Sequence, residues 1–133
     1  MESEQIEKEG FPDGVLGVHY LWDLKGVDSE KLDDIEFVEK VMLEAAMVCG
    51  ATVLGHRSHH FEPQGVTVMI LLAESHLSFH SWPERGAAAA DFFSCSSKMD
   101  HRKIESQLRE AFNPNHISEA SLVRGESLGV DFS

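Results

Sequence analysis

The sequence is short of the residues that mark several protein classes. Only two of its 133 residues are cysteines, Cys49 and Cys95. That count excludes a disulfide-dense secreted scaffold and a thiolate zinc module, and two free thiols are the expectation. Positive charge is scarce: 11 Lys and Arg stand against 23 Asp and Glu, a formal net charge of −12. Such a surface repels phosphate backbones and anionic lipid, so no nucleic acid and no membrane is expected as a partner. The longest apolar stretch, Val66 to Ala73, falls far short of the roughly 20 residues of a membrane span. No basic, apolar leader precedes the domain, and a cytoplasmic protein is the expectation. A glycine-rich phosphate loop, a Gly-x-Ser-x-Gly elbow and a His-Glu-x-x-His helix are all missing, which removes the usual footholds for nucleotide hydrolysis, serine-hydrolase chemistry and zinc proteolysis.

What is present, 42% hydrophobic and 26% charged residues, is the balance of one globular domain with a modest core. Residues 1–14 are rich in Glu and end in Phe-Pro-Asp-Gly, a polar extension closed by turn chemistry. The domain proper is expected over residues 15–125, with a tail over 126–133. Val15 to Leu24 reads as a first strand. From Asp33 or Asp34, apolar Ile35, Val38, Met42, Ala45, Ala46 and Cys49 recur at three- and four-residue spacing until Gly50, which predicts a helix with Cys49 as a structural thiol on its core stripe. Strands are then predicted over Thr52 to Phe61, Val66 to Ala73, His76 to Trp82 and Ala87 to Cys95. Ile104, Leu108 and Ala111 mark a second helix over Asp100 to Phe112, stopped by Asn113-Pro114, and His116 to Val123 reads as a last strand. Strands that follow one another through turns, with two main helices, predict an α+β fold: a two-layer sandwich of an antiparallel sheet with the helices packed on one face.

Eight histidines are many for this length, and His56, His59, His60, His76 and His80 crowd together. Their spacing matches no zinc pattern, and His59 and His60 would point to opposite faces of a strand, so no metal is expected.

The most informative stretch is Ala73-Glu74-Ser75-His76, followed by His80-Ser81-Trp82-Pro83-Glu84 and then by Asp91-Phe92-Phe93-Ser94-Cys95. This run resembles the prokaryotic-type S-adenosylmethionine decarboxylase proenzymes, pyruvoyl-dependent enzymes whose precursors carry Ala/Ser-Glu-Ser-His, then His-(Thr/Ser)-Trp-Pro-Glu, then a cysteine beyond an Asp-containing strand. Pro63-Gln64-Gly65-Val66-Thr67 is similar to the family's upstream segment, and the similarity spans about Leu16 to Gly125.

The resemblance implies a self-cleavage between Glu74 and Ser75 in which Ser75 becomes a pyruvoyl group, the cofactor that forms a Schiff base with the substrate amine. It implies that His80 is the processing base, Thr67 the processing hydroxyl and Cys95 the proton donor of decarboxylation, with Phe61 and Glu84 contacting the nucleoside. It further implies a homodimer of processed protomers, with active sites near the interface, and a small cationic substrate. The chain departs from the family in having Gly86-Ala87-Ala88-Ala89-Ala90 where Gly-Tyr-Ala is usual, and Val18 where a basic residue usually lies between Gly17 and His19. Both changes bear on the pocket and neither on the cleavage chemistry. Two alternatives therefore stay open at this point: a pyruvoyl-dependent decarboxylase of L-ornithine or L-arginine, and a non-cleaving relative that acts as a binding or regulatory subunit.

Overall fold

A computed structural model describes residues 10–129 and 131. Its elements are β1 (Val15–Lys25), α1 (Ser29–Leu32), α2 (Ile35–Val48), β2 (Val53–His60), β3 (Val66–Leu72), β4 (Ser75–Trp82), β5 (Ala87–Ser94), α3 (His101–Phe112) and β6 (His116–Gly125), with single 3-10 turns at Pro83–Arg85 and Glu126–Leu128. The expected α+β sandwich is present.

Local chemistry sets the helix ends. Asp34 caps α2 by accepting the Phe37 N–H at 3.1 Å, and Asp100 caps α3 by accepting from Arg102 at 3.0 Å, each supplying an acceptor to the unpaired first-turn amides. Helix α3 stops at Asn113 in the left-handed region, directly before Pro114. The short α1 has no counterpart among the expected elements, since four residues cannot display a helical period.

The six strands lie in the order β2-β3-β4-β5-β1-β6, every neighbouring pair antiparallel. Strands β2 to β5 form a meander, and β1 is inserted between β5 and β6. Alternation divides the sheet into two faces. Trp22, Leu24, Val68, Ile70, Leu77, Phe79 and Phe92 are buried on one face together with Val38, Met42 and Ala45 of α2 and Ile104, Leu108 and Phe112 of α3. Phe79 and Phe112 stack there at 5.1 Å, and burying each ring stabilises the fold by roughly 1.5–3 kcal/mol. Cys49, at the end of α2, is buried as expected and pushed up in pKa chiefly by that burial.

The opposite face carries Leu21, Met69, Leu71 and Trp82, all more than 40% exposed, among His19, Thr67, His76, His80, Asp91 and Phe93. An antiparallel sheet normally turns a polar face to water; this one is apolar and chemically equipped.

Of the expected N-terminal extension, residues 1–9 lie outside the described residues. Its end is tied to the tail, since the Gly14 carbonyl accepts from Glu126 N–H at 2.8 Å. Among the described residues no helix is long and apolar enough to cross a membrane.

Candidate functional site

The tight β3–β4 connection, Ala73-Glu74, delivers Ser75 to the first position of β4. Ser75 has φ 152°, a positive value that only it and Asn113 adopt among the described non-glycine residues. A side chain held there costs on the order of 1–3 kcal/mol and persists only where neighbours enforce it. Those neighbours are visible. The Glu74 carbonyl accepts the Cys95 backbone N–H at 3.1 Å, the Ala73 N–H donates to the Thr52 carbonyl at 2.9 Å, and Glu74 Oε1 accepts the Thr52 N–H at 3.1 Å. The peptide between Glu74 and Ser75 is therefore gripped on both sides. Its carbonyl is polarised by an N–H placed where negative charge would grow if a hydroxyl added to it.

Cys95 follows the end of β5, half-buried and free, beside a pocket of about 540 Å³ shared with Phe11, Val15, Leu16, Phe93 and Arg124. The Arg124 guanidinium lies 4.8 Å above the Phe93 ring. Close packing here requires glycine at Gly17: a Cβ there would stand 2.5 Å from the Ser94 carbonyl.

The other expected residues sit elsewhere on the same hairpin. Thr67 and His80 face each other across β3 and β4, with Thr67 Oγ1 and His80 Nδ1 3.1 Å apart. They line a pocket of about 320 Å³ with Phe61, Gln64, Gly65, Ser81, Trp82 and Glu84. The 3-10 turn Pro83–Arg85 carries Glu84 to the rim. Phe61 is 47% exposed, its ring edge-on to His59 at 4.5 Å. Asp33 fastens this end by accepting from Gly65 N–H at 2.9 Å and pairing with His60 at 2.8 Å. The Gly65 bond is the main reason its carboxyl lies below the usual range.

The structure thus brings Ser75, Glu74 and Cys95 together, and separately brings Thr67, His80, Phe61 and Glu84 together. His80 lies five positions beyond Ser75 along β4, about 16 Å at roughly 3.3 Å per residue. Within one protomer the two groups do not meet. The crowd of histidines is dispersed as well: His56 and His60 pair with Glu39 and Asp33 on the helix side, whereas His59, His76 and His80 lie on the open face. Sequence reasoning missed the backbone N–H of Cys95 as a carbonyl partner and the contact between His19 and Asp91, at 2.6 Å. Only strand register could reveal either.

Comparison with known proteins identifies the family. Residues 18–125 match the family model for S-adenosylmethionine decarboxylase. The chain is similar to the S-adenosylmethionine decarboxylase proenzyme of Brevibacillus brevis, 45% identical over 110 residues covering 83% of each chain. It is also similar to the proenzyme of the same name from Methanococcus vannielii, 39% identical over 83% of this chain and 90% of that one. The crystal structure of the adenosylmethionine decarboxylase from Aquifex aeolicus superposes with a TM-score of 0.78 at 32% identity, covering 90% of this chain and 96% of the other. By family model, by sequence and by fold, the chain belongs to the S-adenosylmethionine decarboxylase family.

Proposed function

We propose that this chain is a self-processing, pyruvoyl-dependent decarboxylase of S-adenosylmethionine, which supplies the decarboxylated product for spermidine synthesis. The observation that carries the reading is the gripped Glu74–Ser75 peptide: a strained serine whose preceding carbonyl is hydrogen-bonded to Cys95 N–H. Ser75 Oγ adds to the Glu74 carbonyl carbon, and the C–N bond breaks, turning the amide into an ester and freeing the Ser75 amine. A base then takes the Ser75 α-proton, and the Glu74 carboxylate leaves from Cβ. Tautomerisation of the dehydroalanine and hydrolysis, with release of ammonia, leave a pyruvoyl group at residue 75 and two pieces, residues 1–74 and 75–133. The residues around position 75 fit such a group, since Cys95 and its pocket lie beside it. The pyruvoyl group supplies a carbonyl that takes the substrate amine and accepts the electron pair left by carbon dioxide. Cys95 donates the proton that replaces the carboxylate, the general-acid step of the reaction.

Thr67 and His80 stand about 16 Å from Ser75 in their own protomer, so the base and hydroxyl at Ser75 are the partner subunit's His80 and the partner subunit's Thr67. A twofold axis generates two such sites at once. The open sheet face, with exposed Leu21, Met69, Leu71 and Trp82, is the surface two copies bury together. Phe61 offers an aromatic face to adenine and Glu84 a carboxylate to the ribose hydroxyls, and the net charge of −12 suits a sulfonium substrate.

Denaturing mass spectrometry of the matured protein tests the reading: two fragments are expected from wild type and one intact chain from Ser75→Ala, while an intact wild-type chain overturns it. Carbon dioxide release is expected from S-adenosylmethionine in preference to ornithine or arginine, and a preference for either free amino acid overturns the substrate assignment.

A further inference from the structure

Three side chains that the proposed reaction does not use converge on the open face. Asp91 of β5 lies between His19 of β1 and His76 of β4. The same carboxylate oxygen, Oδ2, is 2.6 Å from His19 Nε2 and 3.1 Å from His76 Nε2, while Ser78 Oγ donates to the other oxygen, Oδ1. Burial pushes the Asp91 carboxyl up, but the hydrogen bonds from Ser78, His19 and His76 together hold it below its ordinary value. It is therefore ionised at neutrality and accepts from both imidazoles, each of which aims Nε2 at the shared oxygen.

We propose that His19, His76 and Asp91 bind a divalent transition-metal ion such as zinc, with one coordination position open on the sheet face. Two imidazole nitrogens and a carboxylate oxygen suit zinc and its neighbours rather than calcium or magnesium. The three donor atoms all lie within 4.8 Å of one another. A tetrahedral site with bonds of about 2.0 Å has an edge of about 3.3 Å; the 3.1 Å separation of His76 Nε2 from Asp91 Oδ2 lies close to it, and the 2.6 Å separation of His19 Nε2 falls short of it. An ion enters by displacing the two Nε2 protons, with His19 moving outward by about 0.7 Å to reach the tetrahedral edge. Ser78, only 2% exposed, supplies the outer-shell bond that leaves Oδ2 for the metal. The ligands stand on three adjacent strands in fixed register: Asp91 pairs with Leu21 and Ser78, and Phe93 pairs with His19 and His76. In the single protomer the side chains of His19, His76 and Asp91 are 22%, 36% and 22% exposed, and His76 borders a groove of about 360 Å³ with Met69 and Leu71, so the ion is loaded before the proposed dimer covers this face.

The ion would also join the two products of self-cleavage. His19 belongs to residues 1–74, whereas His76 and Asp91 belong to residues 75–133, so the metal cross-links pieces that share no peptide bond. This consequence rests on the proposed cleavage; the binding itself does not.

Zinc chloride titrated calorimetrically into matured, chelator-stripped protein purified without a polyhistidine tag is the test. One saturable equivalent per chain and a raised melting temperature are expected. His19→Gln and Asp91→Asn should abolish the equivalent, Ser78→Ala should weaken it about 10–100-fold, and His59→Gln should leave it intact. Absence of a saturable equivalent in wild type overturns the proposal, as does an equivalent that survives His19→Gln in a variant whose circular dichroism is native. Mass spectrometry of the same samples reports cleavage separately, so a failure of the metal site is distinguishable from a failure of the proposed function.

Discussion

The two ends of the β3–β4 hairpin are built on opposite principles. At the Ser75 end, main-chain contacts dominate: Thr52 and Cys95 grip the Glu74–Ser75 peptide, and the backbone is held in a conformation that serine rarely adopts. At the other end the strands are regular and side chains carry the chemistry, with Thr67 against His80 and the pocket of Phe61 and Glu84 beyond them. A peptide that must be broken needs a rigid, strained setting. A base that moves a proton, and a slot that admits a nucleoside, need ordinary rotamers and open space. The two stand some 16 Å apart on one strand; on the proposed function each protomer then holds two half-sites, and self-cleavage would wait on association.

The sharpest way to break this comparison is complementation. Ser75→Ala and His80→Ala are each expected to stay uncleaved alone. Co-expressed in equal amounts, they should yield mixed dimers in which the His80→Ala chain meets an intact His80 and is cut, so that about half of those chains are processed by random pairing. No cleavage in the mixture, read by denaturing mass spectrometry, would mean that the two ends do not cooperate between subunits. A smaller effect separates the two duties proposed for Cys95. Cys95→Ser keeps the backbone N–H on the Glu74 carbonyl, so cleavage should proceed while decarboxylation falls by about 10²-fold or more. Equal losses in cleavage rate and carbon dioxide release would erase the distinction between backbone and thiol. The smallest effect concerns the far end. Asp33, whose carboxyl is lowered chiefly by the Gly65 N–H, adds stability above the usual carboxylate range and loses it as pH falls through its lowered folded value. Thermal melts of Asp33→Asn should therefore lie below wild type near neutrality and converge with it in strong acid; parallel curves would show that Asp33 contributes no charge-dependent term.

Much of this was legible from local pattern. Asp34, Gly50, Asp100 and the Asn113-Pro114 pair marked the helix ends because capping is a matter of a few consecutive residues. Along β4 the alternation of Leu77, Phe79 and Ser81 against His76, Ser78, His80 and Trp82 is a local pattern too, since successive side chains of a strand point to opposite faces. Helix α1 was invisible because four residues carry no period. The insertion of β1 between β5 and β6 was equally hidden, since strand pairing over such sequence distances leaves no local mark. That insertion brings His19 to Asp91.

The sequence by itself determined the family resemblance, because the run from Glu74 to Cys95 holds that family's residue types in that family's order. It also determined the two-layer architecture, through periods of two and of three to four residues. Only the tertiary structure decided where those residues stand. Register placed Cys95 N–H on the Glu74 carbonyl, strand rise carried His80 away from the serine five positions before it, and strand order gathered His19, His76 and Asp91. Spacing along a chain measures contour length, whereas chemistry depends on separation in space, and it is the long-range hydrogen bonding of the sheet that converts one into the other.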